Sequence, residues 1–255
     1  MHPTRSPDHA LLVPAHHDTA AGSTRPRLQA IPGRGHPTNP LPFDTVTLSL
    51  VRRERHALCD TALALGPDVP TLCGEWTARD LVAHLLVREN SLSAAGISIP
   101  PLAGLTERAM ARTAKTPFPD MVKKLYDPGL TPYRLPGVER LTNTLEYFVH
   151  HEDLRRAQPG WEPRELPAAD EDELWKLLKG SARLATRRTG VPIVVRRTDR
   201  PGQGATVRRG DDPVVVTGRP SELVLFFFGR HQLRDVTFDG PPEAVSRLRE
   251  AHKGF

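Results

Sequence analysis

The feature that most constrains the fold of this chain is a change in hydrophobic period close to Val191. Before it, apolar residues recur at helical spacing, and the helical segments end at Pro or Gly. After it, short β-prone runs alternate with turns rich in Gly and Asp. The sequence therefore predicts an α+β protein, with a helical bundle over residues 45–187 followed by a small α+β domain over residues 188–255.

Helical spacing divides the first region into a series of helices. They are residues 45–65, 77–93, 105–114, 117–126, 138–157 and 170–184. The two short helices group as one element, so the first five segments predict a four-helix bundle. The second region predicts the order β-β-β-α-β-α. Its strands are residues 191–197, 205–209, 214–217 and 235–238, and its helices begin within 218–223 and at 241.

Composition limits the classes of partner. Residues 1–44 are rich in Pro and His without an apolar period, so we predict a disordered extension with no export signal. The two cysteines, Cys59 and Cys73, cannot form a disulfide framework, which fits a reducing cytoplasm. No apolar run approaches the ~20 residues of a membrane span. The net charge of +5 is interspersed with acidic residues and few aromatics, so we expect neither nucleic acid nor a membrane as a partner.

One helix start lies between Glu75 and Leu85. Thr77 is a favourable N-cap, and Asp80 three residues later can complete a capping box at the positive end of the helix dipole. His84 follows among apolar residues, away from the charged side of the helix. This pattern predicts an inward-facing imidazole. A core histidine with a satisfied hydrogen bond is the alternative to a metal ligand.

A second segment with metal-capable side chains begins at Asn143. Glu146 and His150 are four residues apart, so they lie on one helical face, one turn apart. Apolar residues flank them, and an ionised carboxylate in such surroundings is costly unless it is paired or metal-bound. His151 lies about 100° further round the helix, so we expect it to face sideways or outward. Taken alone, the pair at 146 and 150 could equally be a salt bridge on a solvated helix.

Together the two segments predict one metal centre. His84, Glu146 and His150 would form a two-histidine, one-carboxylate ligand set, which leaves coordination positions open for water or substrate. Cys73 precedes the first helix closely enough to be a candidate thiol near this centre. A buried and unreactive thiol is the alternative for Cys73.

The spacing of these residues resembles that of a known family. The chain is similar, over roughly residues 46–250, to mycothiol-dependent maleylpyruvate isomerases, which belong to the DinB-like superfamily of thiol-dependent enzymes. The matching motif positions are Trp76, Thr77, Asp80, Leu81, His84, Leu85, Glu146 and His150. Likeness to an actinobacterial branch of metal-binding proteins also rests on residues 71–76, 99–104 and 148–157.

The resemblance implies a fold, a ligand set and a reaction class. The fold would be a DinB-like four-helix bundle followed by a small sterol-carrier-like α+β domain. His84, Glu146 and His150 would bind a divalent metal, with zinc as the expected ion. Mycothiol or a similar small thiol would serve as cofactor, and the reaction would be a transfer or isomerisation of a small electrophilic substrate.

Three arginines are candidate catalytic residues because they could hold an anionic substrate. Arg155 and Arg156 follow the second metal motif, and Arg230 follows the apolar helix of the small domain. The alternative for each is a solvated arginine at a helix end. For the whole protein, the alternative to an enzyme is a metal-binding stress-response or interaction module without turnover. An anion site that faces the metal would distinguish the two.

Overall fold

The computed structural model describes residues 48–90, 103–129 and 138–251. Within these ranges the chain is α+β, with eight helices and a four-stranded mixed sheet. The helices are α1 (Leu50–Leu65), α2 (Ala78–Asn90), α3 (Ala103–Thr113), α4 (Phe118–Tyr126), α5 (Val138–Arg156), α6 (Ala168–Ala185), α7 (Pro220–Phe227) and α8 (Pro242–Ala251). The strands are β1 (Ile193–Arg197), β2 (Gly204–Arg208), β3 (Val214–Gly218) and β4 (Thr237–Asp239).

These elements follow the predicted order, so the α+β class is confirmed. The predicted start of the first helix at Thr45 is wrong: α1 begins at Leu50, because Ser49 has an extended backbone with ψ of 154°. The predicted end of α2 at residue 93 and the extension over residues 1–44 lie outside the described residues. No helix in the three described ranges has both the length and the apolar character needed to cross a membrane.

Helices α1, α2, α4 and α5 share one hydrophobic core. Helix α1 packs along α5 and α4, and α2 packs against α3 and α4. Leu81 and Leu85 on α2 lie in this core together with Tyr147 on α5. The two helices with predicted metal ligands therefore belong to one packed unit.

Helix α5 contributes to two cores because its side chains point in several directions. Tyr147 lies in the core shared with α1 and α2, whereas Phe148 and Val149 lie in a second core. Successive residues of a helix point about 100° apart, so neighbouring side chains reach different surroundings. The second core also contains residues of α6, α7 and the sheet. Helix α5 is consequently covered on most of its sides.

The sheet has the strand order β2-β1-β3-β4. Strand β1 pairs antiparallel with β2 and parallel with β3, and β4 joins β3 antiparallel. Val195 of β1 and Val216 of β3 are buried in the second core. After α7 the chain turns at Gly229, whose φ of 81° lies in the left-handed region that favours glycine. This turn directs residues 230–232 toward the side of α5 that carries His150.

Helix α6 links the helical part of the chain to the sheet. It packs against α7, and its Leu174 and Leu178 share a core with the strands. The division between a bundle and a small domain at residue 188 stays a prediction.

Candidate metal centre

The start of α2 is fixed by the capping box that the sequence predicts. Thr77 donates its backbone N–H and its hydroxyl to Asp80 Oδ2, at 3.0 and 2.7 Å. His84 lies about two turns further along α2. It is 8% exposed, and its ring centroid is 5.0 Å from that of Trp76. The inward-facing imidazole is therefore confirmed.

Glu146 lies between the two histidines. Its Oε1 is 3.3 Å from Nε2 of His84 and 3.3 Å from Nε2 of His150. One donor atom from each side chain lies within 4.8 Å of the other two. Two ligand atoms bound at ordinary zinc distances and the tetrahedral angle are roughly 3.4 Å apart. The structure thus brings the three predicted ligands together at spacings that suit one ion. That they bind a metal stays a prediction.

The charge states of Glu146 and His84 suit a cation, whereas His150 would first have to lose a proton. Burial raises the pKa of Glu146, but hydrogen bonds with His150 and His84 and the charge of Arg88 outweigh it, so the pKa lies well below its usual range. Burial lowers the pKa of His84 in spite of its hydrogen bond to Glu146. At neutral pH, Glu146 is therefore anionic and His84 neutral, the forms in which both bind metals. Burial lowers the pKa of His150, but hydrogen bonds, foremost the one with Asp153, raise it well above its usual range, so a bound ion would have to displace a proton from this ring.

On the other side of the His150 ring lies Asp153. Nδ1 of His150 is 2.9 Å from Asp153 Oδ2, while Nε2 faces Glu146. Arg230 donates Nε–H to Asp153 Oδ1 at 2.7 Å and a terminal N–H to Oδ2. The thiol of Cys73 donates to the same Oδ2 at 3.1 Å. Burial raises the pKa of Asp153, but Arg230 and His150 lower it to about 2, so this carboxylate is ionised.

Asp153 is a site residue that the sequence analysis does not predict. The available signal is its position three residues after His150, which places both on one side of the helix. The acidic residue at 152 is only two positions from His150 and so points to another side of the helix. Glu152 instead pairs with arginines at 155, 156 and 164. Cys73, predicted as a thiol near the centre, lies 3.6 Å from His150 Nδ1.

A cavity of about 550 Å³ opens at the three predicted ligands. Its apolar wall consists of Leu72, Trp76, Val149 and Phe228. Its polar wall consists of Cys73, His84, Glu146, His150, Arg230, His231 and Gln232, with Gly229 between them. Apolar atoms make up most of the cavity surface, because the polar residues also contribute carbon atoms to it. This volume and this surface are typical of a site for a small organic ligand.

The three candidate arginines have different surroundings. Arg230 lines the cavity. Arg155 donates to Glu152 and to a backbone carbonyl, and Arg156 is buried between Glu152 and Glu222. Neither of these two is among the described residues that line the cavity. Of the three, Arg230 alone is placed to meet a ligand there, and its catalytic role stays a prediction.

His151 does not face sideways or outward, so that prediction is wrong. The residue is 3% exposed, with Nδ1 3.0 Å from Glu54 Oε2 and Nε2 3.1 Å from Thr61 Oγ1. Glu54 and Thr61 belong to α1, which packs along α5. An amphipathic helix with one buried face would leave the His151 side in solvent, but α1 covers it. Both ring nitrogens of His151 are thus used between α1 and α5.

No protein-family model matches the sequence, and no curated protein or solved structure matches the chain. A functional assignment therefore depends on the residues of the site and on their geometry.

Proposed function

We propose that this protein is a divalent-metal-dependent enzyme that uses a small thiol of the mycothiol type to transfer or isomerise a small electrophilic substrate. The observation that carries the proposal is the meeting of His84, Glu146 and His150 on the wall of one cavity. These residues come from helices whose motifs lie some sixty residues apart in the sequence, with Glu146 62 positions after His84.

The donor set suits zinc or another first-row divalent ion. Two imidazoles and one carboxylate are the ligands found in catalytic centres that keep a coordination position open. Once His150 has released its proton, the set carries one negative charge, which a divalent ion more than compensates. When bound, such an ion lowers the pKa of the thiol or water that fills the open position.

The residues of the cavity would bind and orient the reactants. Trp76 and Phe228 would exclude water from the apolar side, which strengthens electrostatic interactions inside the cavity. Arg230 and His231 line the same cavity, where an acidic group of the substrate or of the thiol would bind by competing with Asp153 for the Arg230 guanidinium. Glu146 meets a competing cation in Arg88, whose Nε lies 3.3 Å from Oε1, so the arginine would have to yield to a bound ion.

We also propose membership of the DinB-like superfamily, with a four-helix bundle and a sterol-carrier-like domain. The order of helices followed by a four-stranded mixed sheet supports it. A second support is that Trp76, His84, Glu146 and His150, four positions of the sequence motif, all line the cavity.

One observation favours a second candidate, a metal-binding module without turnover. Each of the three candidate arginines is paired with a carboxylate, so the anion site that an enzyme would need has to form by displacing such a partner. Arg230 is paired with Asp153 in this way. A bound metal without thiol-dependent reaction would be the outcome that selects this candidate.

The first test is elemental analysis of protein purified without a His tag. His84→Ala, Glu146→Ala and His150→Ala should each lose stoichiometric metal. His56→Ala is the matched control, since the His56 ring stacks on Tyr126 at a centroid distance of 3.9 Å and lies outside the cavity lining. All variants keep the histidines of residues 1–44, so any metal held there is common to them.

The second test separates the enzyme from the binding module. Metal-loaded wild type is mixed with mycothiol and a panel of small electrophilic acids, and loss of free thiol or change of substrate is followed by mass spectrometry. Turnover that disappears in Glu146→Ala and persists in His56→Ala supports the enzyme. Stoichiometric metal retained by all three ligand variants would contradict the proposal as a whole.

A further inference from the structure

The ring of His150 is held from both sides. Nε2 faces Glu146 and the cavity, whereas Nδ1 lies 2.9 Å from Asp153. The side chain of Asp153 is 0% exposed. A buried carboxylate is costly without hydrogen-bond partners, so the groups that hold Asp153 determine where its oxygens lie.

Arg230 holds Asp153 at two points. Nε–H donates to Oδ1 at 2.7 Å, and a terminal N–H donates to Oδ2, the oxygen that also meets His150. A planar guanidinium bound in this way fixes the plane of the carboxylate as well as its position. Arg230 directly follows the turn at Gly229, 77 positions from Asp153, so the segment after α7 fixes a side chain of α5.

We propose that Asp153 is a positioning residue that orients His150 as a metal ligand, and that Arg230 keeps Asp153 in the required orientation. The inference rests on the proposed function, because it needs an ion among His84, Glu146 and His150. By accepting the Nδ1–H of His150, Asp153 leaves the Nε2 lone pair directed at the ion and makes the imidazole a stronger donor.

The surroundings favour this role for Asp153 over that of a ligand to a second ion. Cys73, His150 and Asp153 also have donor atoms within 4.8 Å of one another, the spacing of a metal site. Both oxygens of Asp153, however, already accept from the Arg230 guanidinium. A second cation would have to displace that guanidinium from a fully buried carboxylate, whereas a positioning role uses the contacts as they stand.

The test uses Asp153→Asn in the full chain. The amide has the shape of the carboxylate but lacks its charge, and it can turn an N–H toward His150 and so favour the wrong tautomer. Zinc affinity is measured by competition with a chromophoric chelator. We expect it to fall by about 10–100-fold, the range for loss of such a partner of a ligating histidine. Arg230→Lys, which keeps the charge but loses the two-point geometry, should give a smaller loss.

Glu222→Gln is the matched control. Glu222 is 4% exposed and accepts from Arg156 at 3.0 Å, so the variant also removes a buried carboxylate from an arginine, but away from His150. Thermal unfolding without metal compares the damage to the fold in the two variants. The ¹⁵N spectrum of the zinc-loaded protein reports the His150 tautomer, which a general loss of stability leaves unchanged.

The inference is supported if Asp153→Asn and Arg230→Lys weaken zinc binding and Glu222→Gln does not. Wild-type affinity in Asp153→Asn, or an equal loss in all three variants, overturns it and leaves the proposed function intact. If Asp153→Asn fails to fold, Arg230→Lys decides: weaker binding supports the inference, and wild-type binding overturns it. Absence of zinc binding in the wild type removes both proposals.

Discussion

Zinc should stabilise the folded chain by an amount that follows from where its ligands lie. The three donors come from α2 and α5 and meet only in the folded state. A ligand that binds the folded state alone, at a free concentration of 100 times its Kd, stabilises it by about 2.7 kcal/mol. The compact unit that would be stabilised spans residues 46–255. For a unit of this size each kcal/mol raises Tm by roughly 2–4 °C, so zinc should raise Tm by roughly 5–11 °C.

His84→Ala tests this expectation most directly. The substitution removes one donor, so the zinc-dependent rise in Tm should almost disappear. It also leaves a gap beside Trp76, which lowers Tm without metal. The quantity to compare is therefore the rise caused by zinc and not Tm itself.

Differential scanning calorimetry of tag-free protein, stripped with a chelator and titrated with zinc, measures this rise. His56→Ala should show the full wild-type rise, because its ring lies outside the cavity lining. An equal rise in wild type and in His84→Ala would refute the reasoning, since it would place the stabilising ion at other ligands of the folded chain, for example Cys73, His150 and Asp153.

Three further predictions concern stability and reactivity. The pKa of Asp153 is lowered from 3.8 to about 2, so its ionised form stabilises the fold above pH 3.8 and that contribution is lost as the pH falls toward 2. Between pH 5 and pH 2 the unfolding free energy of the metal-free wild type, measured with urea, should accordingly fall by roughly 2 kcal/mol more than that of Asp153→Asn. Arg156→Met should lower the unfolding free energy by about 3–5 kcal/mol, because the buried Glu222 loses its guanidinium partner and Glu152 loses one of its three. Arg155→Met, at a more exposed guanidinium, should lower the unfolding free energy by under about 1 kcal/mol. If chemical denaturation gave equal losses for the two variants, the different burial of Arg155 and Arg156 would not explain their stability. Iodoacetamide should label Cys73 in the native protein, because this residue lines the cavity. Cys59 is 0% exposed and burial raises its pKa to about 12, so it should react only after unfolding. Peptide mass mapping of native and unfolded protein would show the difference.

Several features of the site follow from local geometry and were therefore accessible from the sequence. Thr77 and Asp80 form the predicted capping box because N-cap bonds join residues within one turn. Glu146 and His150 share a face because four residues are close to one helical turn. The order of the elements likewise follows from the hydrophobic period.

The surroundings of α5 were not accessible in this way. His151 was expected to face sideways or outward because a single amphipathic helix has one buried face, but α1 and the second core cover α5 on more than one side. Arg155 and Arg156 look alike in the sequence, yet Arg156 is the one buried against Glu222 of α7.

By itself, then, the sequence determined which side chains share a helix face and how the helices and strands are ordered, since both depend on residues a few positions apart. The tertiary structure alone decided that Arg230, 77 positions further along the chain, meets Asp153 and is the arginine at the cavity. Those choices depend on which distant segment covers each side of a helix. The burial of charged groups, and with it their pairing, is set by that covering and not by spacing along the chain.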